Sequence, residues 1–128
     1  MMNRLFLASL LGFAACASPL NTTASWTGCE DYDFDDPADP ELVAEVIGSE
    51  VVVSLTSSLQ PADSDFDPEV TSDGKRVEIR EAWIGGESDE DFCFSPQVSL
   101  EGARGKLQIY WFRPGDEVAF DNLQVEVD

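Results

Sequence analysis

Lys106-Leu-Gln-Ile-Tyr-Trp-Phe112, then Arg113-Pro-Gly-Asp116, then Glu117-Val-Ala-Phe-Asp-Asn-Leu-Gln-Val-Glu-Val-Asp128 is the stretch that decides the fold. Leu107, Ile109 and Trp111 alternate with Gln108, Tyr110 and Phe112, which is the period-two pattern of a strand. Pro114 sets φ for the first central position of a turn, and Gly115 accepts the positive φ that a type II turn needs next. Val118 and Phe120 share one face, whereas Leu123, Val125 and Val127 are in the opposite phase. One regular strand cannot hold both sets, so a bulge or tight corner is expected at Asp121-Asn122. The hairpin has more apolar surface than two strands can bury, and other elements must cover it.

Those other elements are short and mostly extended. Lys75 to Ile84 reads as a strand with Val77 and Ile79 inward, opened by the turn signal Asp73-Gly74. Phe92, Phe94, Val98 and Leu100 share one parity and Cys93 has the other, so Cys93 faces away from the core. Pro96 places that strand at an edge or breaks it. Val51, Val53 and Leu55 begin a β-rich run that fades into Thr56-Ser-Ser-Leu59, and Gln60 to Pro68 reads as a loop. Glu30 to Asp36 alternates acid with aromatic, as in an edge strand or extended arm. Asp39-Pro40-Glu41 has the marks of a helix start, with Leu42, Val43, Val46 and Ile47 as its stripe and Gly48 as its end. A strand from Leu42 is the competing reading, because so short a helix is marginal alone. Five or six strands with turn chemistry between them, and at most one short helix, give an all-β fold: a small antiparallel β-sandwich, Ig-like or jelly-roll-like.

The first residues are a targeting segment. Arg4 supplies the positive end, and Leu5 to Ala15 the apolar run. As a helix that run rises only about 16 Å, half of a bilayer core, which fits a signal peptide and not a membrane span. Phe13-Ala14-Ala15-Cys16 resembles the lipobox of bacterial lipoproteins. The resemblance implies lipid attachment at Cys16, which becomes the new N-terminus, and an outer-membrane destination in a Gram-negative host. The alternative is plain signal-peptidase cleavage after Ala15-Cys16-Ala17, giving a periplasmic or extracellular protein. The expected organisation is a signal peptide over 1–15, a polar tether over 16–27 and a β-sandwich domain over 28–128.

Either cut leaves Cys29 and Cys93, and an exported chain with two cysteines most simply joins them. That disulfide closes a loop of about 65 residues and contributes roughly 4 kcal/mol in the chain-entropy model.

Charge and composition exclude several functions. Net charge is −19, from 26 acidic and 7 basic residues, which repels nucleic acid and anionic lipid headgroups. Membrane contact is therefore expected through the lipid anchor only. There is no histidine, which removes Ser-His-Asp and Cys-His machinery and imidazole metal sites. Nothing selects two of the 26 acids as the pair of a carboxylate-dependent hydrolase, so a non-enzymatic role is expected.

Two candidate sites remain. Asp63, Asp65 and Asp67 alternate along one loop and put hard oxygens near one another, as Ca²⁺ requires. Solvated acids are the bland reading of the same residues, and no cofactor is needed if they are no more than that. Tyr110 and Phe112 lie on the second apolar face of their strand and, with Trp83, are candidates for an exposed ligand platform. Cover by the helix and the N-terminal arm is the competing fate. The run Val118-Ala-Phe-Asp-Asn-Leu-Gln-Val-Glu-Val127 resembles the last strand of jelly-roll carbohydrate-binding modules. That resemblance implies a structural Ca²⁺ near Asp121 and glycan binding elsewhere. The sequence thus reads as an exported binding or structural module for an unknown protein or glycan. Its alternative is a Ca²⁺-dependent carbohydrate-binding domain.

Overall fold

The computed structural model describes residues 20–73 and 75–128. The expected signal segment, Cys16 and Gly74 lie outside the described residues.

Eleven strands are described: β1 (Asn21–Gly28), β2 (Leu42–Ile47), β3 (Glu50–Leu55), β4 (Ser58–Pro61), β5 (Asp65–Phe66), β6 (Glu69–Ser72), β7 (Arg76–Arg80), β8 (Trp83–Ile84), β9 (Asp91–Glu101), β10 (Gly105–Phe112) and β11 (Asp121–Val127). The protein is an all-β sandwich. One sheet runs β1-β9-β3-β2, with β4 also paired to β9; the other runs β11-β10-β7-β6. The short pair β5-β8 stands beside them. All pairings are antiparallel except β7 with β10, which is parallel. A parallel pair needs a long crossover, and here the chain makes it by way of β8 and β9.

The core lies between the two sheets. Val51, Val53, Leu55, Val98 and Leu100 of one sheet meet Val77, Ile79, Leu107, Ile109 and Trp111 of the other. Each such side chain contributes about 1.5–3 kcal/mol through its removal from water. The alternation expected for β7 and β10 holds, except that Phe112 at the end of β10 is buried as well.

Several expectations are corrected. Leu42 to Ile47 is strand β2, not a helix, and Gly48-Ser49 is the turn joining it to β3. Its β-branched Val43, Val46 and Ile47 suit a pleated surface, and pairing with β3 satisfies a backbone that a short helix would leave half exposed. Asn21–Gly28, most of which falls within the tether expected over 16–27, is a strand that pairs along its full length with β9. Glu30 to Asp36 makes turns, not an arm, and Tyr32 packs edge-on against Phe34. The loop expected over Gln60 to Pro68 includes the end of β4 and all of β5.

β9 is an interior strand despite Pro96. Its ladder with β3 ends at Gln97, and its ladder with β4 resumes at Phe94, so Ser95 and Pro96 have no ladder partner on that side. Thr56 and Ser57 bulge out opposite them, and the Thr56 N–H donates to Glu41 O instead (2.9 Å). The proline sits where a donor is not required.

The phase change in the C-terminal stretch is absorbed before Asp121, not at it. Asp116 N–H donates to Arg113 O (3.1 Å), closing the turn, with Gly115 at φ +76° in the position that needs it. The chain then loops out, leaving Val118 79% exposed. β11 begins at Asp121, opposite Trp111, with Leu123, Val125 and Val127 turned toward the core.

Candidate functional site

β7 ends at Arg80, where the chain leaves its sheet. Glu81 N–H donates to Phe112 O (2.9 Å), and the Glu81 side chain enters the space between the sheets, leaving the residue 3% exposed. Ser58 Oγ donates to Glu81 Oε2 at 2.6 Å, and Trp83 Nε1 donates to the same oxygen at 2.7 Å. Trp111 Nε1 donates to Oε1 at 3.0 Å. Arg113 Nε lies 2.9 Å from Oε1, and Arg113 Nη2 donates to Ser58 Oγ at 3.3 Å. The Nε–H is not aimed squarely at the oxygen, so that contact is an ion pair and not a fourth hydrogen bond.

A carboxylate offers about four lone-pair positions. Three donors take up positions on Glu81 and a guanidinium lies against it, which makes it a rivet joining β4, β8 and β10.

An aromatic column runs outward from this point. Trp111 stacks on Phe66 (6.2 Å between centroids), Phe66 meets Trp83 (5.0 Å) and Trp83 meets Phe94 (4.9 Å). Phe94 meets Phe92 (4.8 Å) and Trp26 (4.7 Å), both edge to face. The column surfaces there, with Trp26 40% and Phe92 39% exposed. Trp26 Nε1 donates to Asp65 Oδ1 (3.2 Å), which ties β1 to β5.

At the same end Cys29 and Cys93 form a disulfide, with Cα atoms 5.5 Å apart. Cys93 lies on the opposite face of β9 from Phe94, as its parity requires, and Cys29 reaches it from the loop after β1. Cys29 N–H also donates to Cys93 O (3.1 Å).

The sequence-derived metal candidates do not converge. Asp63 accepts from the backbone N–H of Glu87 (3.1 Å) and Ser88 (2.9 Å), clasping the loop between β8 and β9. Those two bonds hold its carboxyl below the usual carboxylate range, against slight opposition from desolvation. Gly85 permits this clasp: at φ +80°, a Cβ there would stand 2.9 Å from Asp63 O. Asp65 is engaged by Trp26 and by the Phe66 N–H (3.1 Å). Asp67 is exposed, and its backbone N–H donates to Ala82 O. Among the described residues, no three Asp, Glu or Cys side chains stand together so as to hold a metal ion.

The proposed platform is likewise divided. Trp83 packs against the core side, within the column. Tyr110 and Phe112 lie on the outer face of the other sheet, in the opposite phase to Ile109 and Trp111. The Arg76 guanidinium sits 3.9 Å above the Tyr110 ring and that of Arg80 4.1 Å above Phe112, which is only 6% exposed. Glu78 bridges the two arginines (2.8 and 3.1 Å). Hydrogen bonding to Arg76 first, and its charge, lower the Glu78 pKa, and the same contact raises that of Arg76.

Sequence reasoning overlooked the Glu81 rivet and the exposed Trp26–Phe92 pair. A signal for the first was present: Glu81 continues the inward phase of Val77 and Ile79, and Arg113 that of Ile109 and Trp111. Two opposite charges in core phase are the mark of a buried ion pair. Comparison with protein families, curated proteins and solved structures finds no match to this chain.

Proposed function

We propose that this chain is an exported, lipid-anchored module without catalytic activity, which binds or braces other components at the cell surface or in the periplasm. The observation that carries the reading is the Cys29–Cys93 disulfide, a bond that persists in oxidising compartments and is rare in the cytosol. The apolar run before Cys16 and the lipobox-like Phe13-Ala14-Ala15-Cys16 supply the route and the anchor. The filled coordination of Glu81 supports a non-enzymatic role, since the most buried carboxylate is fully engaged in structure. Metabolic labelling with a tagged fatty acid tests the anchor. The full chain takes up label and the Cys16→Ser chain does not; equal labelling of both, or of neither, overturns the lipidated form.

A second reading, glycan binding, draws on the exposed Trp26–Phe92 pair with Asp65 at its rim, since sugars stack on aromatic faces and hydrogen-bond to carboxylates. Calcium has no converging ligand set in this reading. Trp26→Ala abolishes retention on a glycan array if it holds, and an array without a hit for the full chain excludes it.

A further inference from the structure

β1 is an edge strand unlike the rest of the chain. In a molecule carrying 26 acidic residues, Asn21-Thr-Thr-Ala-Ser-Trp-Thr-Gly28 has no charged residue. It contains no proline, and its pairing with β9 runs through eight consecutive partners without a bulge. All eight residues are exposed, and among the described residues its outer edge has no partner strand. The other terminal strands are guarded: β2 carries Glu45, β6 carries Glu69, and β11 carries Asp121 and Glu126. Charges, prolines, bulges and covering loops are the devices that stop sheet edges from pairing, and among the described residues β1 has none of them.

We infer that the free edge of β1 pairs antiparallel with β1 of a second copy of this chain, joining two sandwiches through one continuous sheet. Self-complementarity selects this occupant, and charge selects this place. Two molecules of net charge −19 repel one another over most of their surface, and the uncharged strand is where they can approach. An antiparallel strand edge is also self-complementary, as a two-fold interface requires. The two-fold axis stands perpendicular to the sheet, so directly opposed residues have the same parity. A register centred on Ala24 pairs Asn21 through Thr27, seven of the eight residues of the strand. It sets Ala24 against Ala24 of the second copy, Thr23 against Ser25 and Trp26 against Thr22. Residues directly opposed in an antiparallel pair have Cα atoms about 4.5–5.5 Å apart, within the span a disulfide bridges.

The test uses the full chain in a mild detergent. Sedimentation velocity reads a dimer whose affinity rises with salt, because screening removes the repulsion between two acidic bodies. Thr23→Lys with Ser25→Lys opposes like charges across the interface and abolishes the dimer, although it makes the net charge less negative. The same two lysines placed at Thr71 and Gln124, exposed positions of the other sheet, leave it intact. Independently, Ala24→Cys under mild oxidation gives a covalent dimer far faster than Gln124→Cys. A monomer at every salt and protein concentration, a dimer that survives the β1 lysines, or equal cross-linking at positions 24 and 124 overturns the proposal.

Discussion

Arg113 and Glu81 meet 2.9 Å apart in the interior of the sandwich, where the Glu81 side chain has no solvent exposure and Arg113 keeps a quarter of its own. Their elements come from distant parts of the chain, the end of β7 and the turn after β10. Burial of a carboxylate is sustained only by this pairing and by the donors of Ser58, Trp83 and Trp111.

Breaking that pair from one side leaves a charge or donor set without its counterpart. Glu81→Gln is expected to destabilise the fold by about 3–5 kcal/mol, measured by urea unfolding. Replacing both residues with Met recovers part of the loss, since an apolar pair has no charge to desolvate. A Glu81→Gln change of less than about 1 kcal/mol contradicts the rivet.

Reducing Cys29–Cys93 releases a loop spanning a sequence separation of 64 and the support of the aromatic column's outer end. The expected cost is about 4 kcal/mol. Thermal melts with and without reductant read it, and coincident melts contradict it.

Asp63 gives the fold a pH dependence of known sign. Its folded pKa is depressed by the Ser88 and Glu87 N–H groups, so the native state binds fewer protons than the unfolded chain. Its contribution is therefore complete above the unfolded value of about 3.9 and is lost as pH falls through the lower folded value. Asp63→Asn should melt below the parent chain at neutral pH, with the difference closing under acid. A difference that grows under acid reverses the sign and refutes the assignment.

Calcium should leave the protein unchanged. Asp63 and Asp65 already hold backbone and indole donors, and among the described residues no three carboxylates stand together so as to hold a metal ion. Extracellular calcium modules bind with Kd on the order of 10⁻⁴–10⁻³ M, so titration to several millimolar is a sufficient search. A shift in Tm that Asp63→Asn removes would restore the calcium reading.

The sandwich was legible because its inner faces obey period two without interruption. Val77 and Ile79, and Leu107, Ile109 and Trp111, could be assigned to the core from spacing alone, and the parity of Cys93 foretold its disulfide on the far face. The misread elements share a different cause. β1 and β2 are set by partners distant in sequence: Asn21–Gly28 has no alternation to display because both its faces are exposed, and Leu42–Ile47 fits either period until β3 is beside it. Trp83 has the composition of a ligand platform, but its ring neighbours Phe66 and Phe94 come from two other segments. The arginines capping Tyr110 and Phe112 follow from the parallel pairing of β7 with β10, a topology that no local pattern specifies.

On the proposed function the mature chain is exported, anchored at Cys16 and closed by the Cys29–Cys93 disulfide. The intact mass of the protein recovered from a cell envelope tests these together. The expected mass is that of a chain beginning at a lipid-modified Cys16, two hydrogens lighter than its fully reduced form. A mass corresponding to Met1–Asp128 with free thiols would contradict it.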